Sequence, residues 1–201
     1  MNTKTDAVIV EKLTEEPPAI ALRDLEVRVL REEEKEMAAR LLEQEHYLGK
    51  GQAVGKTLSQ VVHYHGQWVA LLEWGPASLK LADRDEWVGW NDQQRAERIN
   101  FVVQNRRFLV LAATRMPNLA SRALALATTA LPLQWEERHG YRPLLAETFT
   151  DIEQFEGTCY KAAGWMPCGL TKGFERHRAD FYQKHGRPKK LGSRRFPATA
   201  Q

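Results

Sequence analysis

The segment 107–149 constrains the fold more than any other part of this 201-residue chain. Residues 107–112 centre on the apolar run Phe108 to Leu111, which is typical of a buried strand. A long helical pattern follows at 118–138, with Asn118 as its cap and Pro132 expected to kink or divide it. A further strand is predicted at 143–149. Strands joined by crossover helices imply a mixed sheet covered on both faces.

The rest of the chain predicts more strands and helices around this unit. Upstream, the pattern indicates a half-buried strand at 25–30, a helix at 31–45, and a hairpin of strands 60–65 and 67–74 around Gly66. A long helical insertion then precedes residue 107. Downstream, Asp151 is expected to cap a short helix at 152–163, and a strand follows at 165–171. We therefore predict an α/β (α+β) protein with a mixed central sheet and helices on both faces.

The composition is that of a globular protein. The chain has 43% hydrophobic and 27% charged residues, which excludes a disordered or fibrous protein. No apolar run approaches the ~20 residues of a membrane span, no secretory signal is visible, and two cysteines are too few for a disulfide framework. We expect a cytoplasmic protein with a flexible lead-in at 1–20, an α/β domain at 21–173 and a basic tail at 174–201.

Positive charge is concentrated near the C-terminus. The formal net charge is +3, but residues 172–195 alone carry a balance of +7. A basic segment on a slightly acidic body suits DNA, because cations that neutralise phosphates release counterions. A solvated, half-disordered tail is the alternative. The candidate nucleic-acid contacts are Asn105, Arg106, Arg107, Lys172, Arg176, Arg178, Lys189 and Lys190; for the two arginines before the buried strand, a salt bridge to an acid such as Glu147 is the alternative.

Two local patterns accompany this element order. The segment 160–165, Tyr-Lys-Ala-Ala-Gly-Trp, resembles the Tyr-x-x-x-Gly-aromatic segment of the GNAT acyltransferase superfamily, and the element order is also similar. Residues 115–120 resemble that superfamily's Arg/Gln-x-x-Gly-x-Gly/Ala loop, whose backbone N–H groups hold an acyl-CoA pyrophosphate at a helix N-terminus. The resemblance implies a GNAT-like topology and an acyl-CoA cofactor on Arg115, Asn118, Ala120 and Ser121. Asn118 replaces the glycine and Pro117 removes one donor, which weakens this anion site.

Six motifs extend the resemblance over most of the chain. In order they are His-Tyr-Leu-Gly at 46–49, Val-Gly-Trp at 88–90, Asn-Arg-Arg-Phe-Leu at 105–109, Asn-Leu-Ala-Ser at 118–121, Glu-Thr-Phe-Thr-Asp at 147–151 and Gly-Thr-Cys-Tyr-Lys-Ala-Ala-Gly-Trp at 157–165. The ordered set, from about 25 to 173, resembles the DruA-like domain family of the Druantia anti-phage system. The same domain also occurs in transposases of insertion sequences. The resemblance implies a mobile-element or anti-phage protein that binds or processes DNA.

Two carboxylates and a lysine are the first catalytic candidates. Glu147 and Asp151 bracket the end of a predicted strand, and Lys161 lies on the helix that follows. Such a group can hold a divalent metal and stabilise a phosphoryl transition state during DNA cleavage. The alternative is structural: Asp151 caps the helix, Glu147 makes a buried hydrogen bond, and Lys161 is a surface lysine.

Tyr160 and His46 are the other catalytic candidates. Tyr160 would be a general acid at a leaving thiolate in an acyltransferase, or a nucleophile in a transposase; packing of its ring is the alternative. His46 ends the first long helix, where it is an acid–base group or ligand, or else a cation that interacts with the helix dipole.

Three functions remain open at this stage. The first is a DNA-binding or DNA-processing defence protein, the second an acyl-CoA-dependent N-acyltransferase, and the third a non-enzymatic adaptor for a helicase or nuclease partner. The chemical interpretations share one expectation: the 147–151 strand end and the 157–165 helix open onto the same cleft.

Overall fold

The computed structural model of the protein describes residues 20–49, 54–171, 174–178, 181–184 and 188–197, without the side chains of 174–178 and 181–184. The helices are α1 Lys35–Glu45, α2 Ala82–Val88, α3 Asp92–Arg98, α4 Leu119–His139 and α5 Thr158–Ala162. The strands are β1 Leu25–Val29, β2 Leu58–Tyr64, β3 Gln67–Pro76, β4 Val102–Val110, β5 Leu145–Asp151, β6 Met166–Leu170, β7 Phe174–Arg178, β8 Phe181–Lys184 and β9 Lys189–Arg195.

Seven of these strands form one mixed sheet. Its order is β1-β2-β3-β4-β5-β9-β6, and β7 and β8 pair separately as a hairpin. Neighbouring strands are antiparallel except β4 and β5, which are parallel because α4 connects them. The predicted mixed sheet is confirmed, as are the β2–β3 hairpin and the helical insertion, which forms α2 and α3.

Helices cover both faces of the sheet. The buried side of α4, including Leu124, Leu131 and Trp135, packs against residues such as Val62 and Ala146. The opposite face carries a smaller core, in which Ala38 and Leu42 of α1 belong to the same cluster as the strand residues Val61, Leu71 and Leu109. Strand residues alternate between these two cores, as a period of two requires. None of the described helices is long and apolar enough to cross a bilayer.

The segment after β5 differs from its prediction. A turn rather than a helix follows Asp151, whose Oδ1 accepts a hydrogen bond from the Glu153 N–H at 3.0 Å and whose carbonyl accepts one from the Phe155 N–H at 2.8 Å. Helix α5 begins only at Thr158, after Gly157 with φ 75°. Asp151 therefore caps this turn and not a helix. Pro132, expected to kink or divide the helix, lies inside a single 21-residue α4.

The prediction of a basic tail from residue 174 is wrong for its last described part. Strand β9 lies inside the sheet, between β5 and β6. Leu191 and Ser193 are fully buried, and they alternate with more exposed residues, including Lys190. The high density of cations conceals this alternation in the sequence. Lys172 and residues 1–19 of the predicted lead-in at 1–20 lie outside the described residues, as do the side chains of Arg176 and Arg178.

Candidate active site between two diverging strands

Strands β4 and β5 separate along their length. They pair only from Val102 with Leu145 to Asn105 with Thr148, although β4 continues to Val110 and β5 to Asp151. On its other side β4 carries a bulge, because Glu73 pairs with Arg107 and Trp74 with Asn105, which leaves Arg106 unopposed. The two parallel strands therefore open a gap toward their C-terminal ends.

Backbone groups of β4 face this gap. The Leu111 N–H donates to the Val69 carbonyl at 3.0 Å, which makes this pair a hydrogen-bonded rung of the β3–β4 ladder. Rungs alternate in antiparallel pairs, so the main-chain groups of Leu109 also point toward β3. Those of Phe108 and Val110 consequently point toward β5, which no longer pairs with β4 at this level.

Asn105 connects the bulge to helix α5. Its amide Nδ2 donates to the carbonyls of Glu73 at 3.3 Å and Arg107 at 3.2 Å. Its Oδ1 accepts a hydrogen bond of 2.6 Å from the Tyr160 hydroxyl. The Thr148 hydroxyl donates to the Asn105 carbonyl at 3.4 Å. A single buried amide thus fixes the bulge and places Tyr160 where the two strands begin to separate.

The environment of Tyr160 keeps its hydroxyl protonated. Its ring meets Trp165 and Phe108 edge-on, with centroid distances of 5.2 and 6.2 Å. Burial raises the pKa of Tyr160 above its ordinary value, although the nearby Thr148 hydroxyl opposes the shift. Tyr160 is therefore a neutral phenol at physiological pH and a hydrogen-bond donor.

The start of helix α4 lies at the same end of the sheet, because α4 follows β4. Asn118 has φ 64°, the left-handed conformation that glycine adopts most easily. Asn118 occupies the N-cap position, but its side chain makes no capping hydrogen bond; its carbonyl accepts one from the Ser121 hydroxyl at 3.0 Å. Arg115 and Asn118 are exposed, and Ala120 and Ser121 are half-buried. The turn thus has the backbone shape of a glycine turn without containing glycine.

A cavity of about 500 Å³ lies beside Tyr160, between α5 and the strands β5, β9 and β6. Thr148 and Thr150 line it from β5, Lys161 from α5 and Lys190 from β9. Lys161 and Lys190 are both exposed. The cavity therefore combines two cationic side chains with the phenol that adjoins the gap.

The 46–49 motif lies by the other face of β4, where Gly49 accepts a hydrogen bond of 2.9 Å from Arg107 Nε. His46 Nδ1 accepts one of 3.1 Å from the Leu48 N–H, and the His46 ring stacks on Tyr47. Burial, followed by the charge of Arg107, lowers the pKa of His46 to about 4. His46 is therefore neutral at pH 7, and the alternative of a helix-end cation is wrong.

Charged side chains on the face of β4 that Gly49 contacts are partly buried. Burial raises the pKa of Glu73, and Arg107 and Arg106 oppose this shift. Burial also lowers the pKa of Arg107. The Tyr47 ring contacts Phe155 at a centroid distance of 5.4 Å, and burial, followed by the charge of Asp151, raises the pKa of Tyr47. Four of the six ordered motifs, at 46–49, 105–109, 147–151 and 157–165, thus meet around the gap.

The predicted metal pair of Glu147 and Asp151 does not fit the structure. Glu147 is fully buried; its Oε1 accepts from the Ser78 N–H at 2.8 Å, and its Oε2 pairs with Arg84 at 3.0 Å. Four residues along a strand separate the two Cα atoms by about 13 Å, too far for one ion. Among the described residues there is no cluster of three metal-ligating side chains. The structural alternative for Glu147, a buried hydrogen bond, is what the structure shows.

The expected common cleft forms with different side chains. Thr148 and Thr150 line the cavity together with Tyr160 and Lys161. Successive strand residues point to opposite faces, so Glu147 and Asp151 point away from that cavity. The two motifs do share one cleft, but its β5 wall is made of threonines and not carboxylates.

Arg84 is the residue that sequence reasoning missed. It is fully buried in α2, where it contacts Glu147, Asp85 and the Ser78 carbonyl. Arg95 of α3 continues the network to Asp85 at 3.2 Å. The suggested partner of Glu147, Arg106 or Arg107, is therefore wrong. An acid inside an otherwise apolar strand signals a buried cation, but the sequence does not say which one.

The predicted nucleic-acid contacts divide into internal and surface residues. Asn105 is 4% exposed and hydrogen-bonded inside the sheet, so it is not available to DNA. Arg107 is bound to Gly49, and the Arg106 side chain lies against Gly75. Lys189 is half-buried and Lys190 is exposed on β9.

Comparison with known proteins decides the family. The family described as Druantia protein DruA matches residues 10–191. The chain belongs to this defence-associated DruA family. Among curated proteins no match was found.

Solved structures with a similar fold are acetyltransferases. Aminoglycoside acetyltransferase AAC(6')-Ib, solved with paromomycin and acetyl-CoA, has a TM-score of 0.55 and 11% identity over 86% of this chain and 93% of its own. The ribosomal-protein-S18-alanine N-acetyltransferase of Escherichia coli has a TM-score of 0.53 and 10% identity over 88% and 97%. An acetyl transferase from Salmonella typhimurium that modifies an N-terminal serine of a ribosomal protein has a TM-score of 0.53 and 12% identity over 89% and 99%. The DruA-family chain therefore has a GNAT-like fold.

Proposed function

We propose that this DruA-family chain is an acyl-CoA-dependent acyltransferase that works at the gap between β4 and β5. One observation carries the proposal: the strands separate after Asn105 and Thr148, and the Tyr160 hydroxyl is hydrogen-bonded at that point. The acetyltransferase fold of the similar structures, one of them solved with acetyl-CoA, supports it.

The ends of β4 and α4 supply groups suited to such a co-substrate. Helix α4 has 21 residues, and the N–H groups of Ala120 and Ser121, which follow the bonded N–H of Leu119 in its first turn, lie at the positive end of the helix dipole. Left-handed Asn118 and exposed Arg115 border this end. The main-chain groups of Phe108 and Val110 would bind the amides of an extended ligand lying in the gap. These residues fit acyl-CoA in chemistry, although Pro117 offers no N–H.

Tyr160 is suited to the leaving-group side of acyl transfer. When an amine attacks a thioester carbonyl, the C–N bond forms, the C–S bond breaks, the nitrogen loses a proton, and the sulfur leaves as a thiolate that must be protonated. The Tyr160 phenol, which is protonated at physiological pH, gives its proton to that sulfur, and the proton released by the nitrogen restores the phenol. In the resting protein this proton is directed at Asn105 Oδ1.

The test is acetyl-CoA binding followed by single-turnover transfer. A ligand at 100 times its Kd stabilises the native state by about 2.7 kcal/mol, so 1 mM acetyl-CoA should raise the Tm by several degrees if Kd is about 10 μM. Asn118→Pro, which cannot adopt positive φ, is the control and should abolish the shift. An unchanged Tm at 1 mM, with no acetyl group transferred to a panel of amines, would remove the proposal.

DNA contact is the second candidate, favoured by the cationic strand β9. Lys189 and Lys190 lie on it, although two further cations there are engaged: Arg194 bonds the Ala163 carbonyl, and Arg195 lies 4.7 Å over the Trp87 ring. Phosphate contacts make affinity fall steeply with salt. The double variant Lys189→Gln/Lys190→Gln should weaken DNA binding. The fall of the logarithm of the binding constant with the logarithm of the salt concentration should also become less steep, by the amount expected for about two phosphate contacts. Binding equal to that of an acidic control protein at low salt would exclude DNA as a partner.

A further inference from the structure

We infer that the cavity beside Tyr160 is the acceptor subsite and takes a phosphate-bearing substrate of nucleotide size. The acceptor role depends on the proposed acyl transfer, whereas binding of the phosphate ester does not. Thr148 and Tyr160 belong both to the cavity lining and to the start of the β4–β5 gap. A ligand in the cavity would therefore lie next to the group that we assign to the leaving thiolate.

The charge in the cavity selects an anion. Among the residues that the structure describes, Lys190 Nζ bonds only a main-chain carbonyl, that of Glu156, at 3.3 Å. The hydrogen bonds of Lys161 are made by its backbone, and its side chain has no hydrogen bond or ion pair with a described residue. Glu156 is also among the lining residues, so the charged residues around the cavity carry a net charge of +1. Two ammonium groups without carboxylate partners on opposite walls suit a phosphate monoester.

The hydroxyl groups of Thr150 and Thr158 add donors on the same walls, whereas that of Thr148 already donates to the Asn105 carbonyl. Thr148 and Thr150 are buried at 2% and 8% exposure, and Thr158 lies at the first position of α5. Gly192 lines the cavity without a side chain, and a Cβ added there would approach Thr148 Cγ2 to 3.3 Å and Trp165 Cε3 to 4.0 Å. The absence of a side chain at 192 keeps the space between β5 and Trp165 open.

The remaining wall is suited to a planar, partly apolar group. Trp165 is 2% exposed, and its indole N–H has no acceptor among the residues that the structure describes. Within that part of the chain, the Trp135 indole N–H and His63 Nδ1 are buried without a partner in the same way, so only the ring of Trp165 is assigned to this wall. Phe155, Met166 and Ile152 line the cavity although they are about half exposed. A nucleobase matches this apolar wall, and about 500 Å³ accommodates one nucleotide.

Calorimetric titration of the full chain tests the inference. The probes are deoxyadenosine monophosphate, deoxyadenosine, and a single-stranded oligonucleotide with a 5′-phosphate, each with and without saturating CoA. We expect the nucleotide to bind at least tenfold more tightly than the nucleoside. Lys161→Gln and Lys190→Gln should each weaken it about tenfold, whereas the matched exposed-lysine variant Lys80→Gln should change it less than twofold.

The outcomes separate this inference from the proposed function. If the oligonucleotide binds more tightly than the nucleotide, with the same dependence on Lys161 and Lys190, the phosphate site is supported. The phosphate then comes from the end of a DNA strand and not from a free nucleotide. Displacement of the nucleotide by CoA would show that the cavity holds the co-substrate's own nucleotide, which overturns the acceptor subsite. Failure to bind at 5 mM, or binding by both lysine variants that is as tight as that of the unaltered protein, also overturns it, even if acetyl-CoA raises the Tm. Binding of the nucleotide without any acetyl-CoA binding removes the acyltransferase proposal and leaves the phosphate site.

Discussion

The Tyr160 hydroxyl on α5 donates a hydrogen bond of 2.6 Å to Asn105 Oδ1 on β4, across 55 residues of sequence. The Asn105 amide is held in turn by two carbonyls that flank the β4 bulge. The position of the phenol is therefore set by the same irregularity that accompanies the separation of β4 from β5.

Removing this hydroxyl should affect chemistry more than folding. Tyr160→Phe loses one partly buried hydrogen bond, which lowers the free energy of unfolding by about 1 kcal/mol. We expect single-turnover acyl transfer to fall at least about 100-fold, the usual scale of general-acid catalysis, while the Tm shift with acetyl-CoA persists. The control Tyr64→Phe changes a half-buried tyrosine of β2 and should leave both quantities unaltered. Equal transfer rates for Tyr160→Phe and the unaltered protein would exclude the phenol as the acid.

The conformation of Asn118 gives a second test. At φ 64° an alanine is strained, whereas glycine is not, so Asn118→Ala should lower the free energy of unfolding by about 1 kcal/mol and Asn118→Gly should not. Urea denaturation measures the difference. If the α4 N-terminus binds the co-substrate, acetyl-CoA should stabilise the glycine variant at least as much as the unaltered protein. Equal stability of the two variants would show that the turn tolerates another conformation.

Arg84 and Glu147 form a buried pair whose role is to attach the insertion to the sheet. Both side chains have zero exposure, so Arg84→Met leaves a buried carboxylate without its cation, and the free energy of unfolding should fall by about 3–5 kcal/mol. Adding Glu147→Gln should recover part of this loss, because the amide still accepts from Ser78. The matched exposed pair, tested by Arg40→Met, should cost less than about 0.5 kcal/mol. A similar small cost for Arg84→Met would refute the structural role.

Much of the fold follows from periodicity, whereas the site does not. The β2–β3 hairpin and α4 are predictable because their apolar spacing is local and Gly66 separates the two strands. The orientations of the Glu147 and Thr148 side chains cannot be predicted in this way. A shift of one residue along β5 would exchange which of the two faces Tyr160, and no local sequence pattern marks that register. The sequence therefore identified the 147–151 motif, but Glu147 and Asp151 were the wrong residues within it, because Thr148 and Thr150 line the cavity.

Long-range pairing accounts for the rest of the difference. The Glu147–Arg84 contact spans 63 residues, and the gap exists because β5 stops pairing with β4, which depends on tertiary packing. Strand β9 is not recognisable in the sequence, because most of its residues are cationic and its buried residues are Leu191 and Ser193. Such residues look like a solvated tail until their neighbours in the sheet are known.

The pKa of His46 predicts a pH-dependent stability. Its value in the folded protein, about 4, lies below the ordinary 6.5 because of burial and Arg107. Between these values the unfolded chain binds more protons than the folded one, so the free energy of unfolding falls as the pH is lowered from 6.5 to 4. His46→Asn, which can still accept from the Leu48 N–H two residues on, should retain stability at pH 7 and reduce this slope. An unchanged slope in urea denaturation at several pH values would contradict the shift.

Strand β9 predicts the effect of C-terminal truncation. A chain ending at residue 187 would lose the strand that pairs with both β5 and β6, together with the buried Leu191 and Ser193. We expect it to lose cooperative unfolding and its near-ultraviolet circular dichroism, because β5 also carries Thr148 and the Glu147 ion pair. The controls are a chain ending at 197 and the full chain with Lys189→Gln/Lys190→Gln, which removes charge and keeps the strand; both should unfold cooperatively. If residues 188–201 acted only as a basic tail, the chain ending at 187 would fold normally and lose only its charge-dependent interactions.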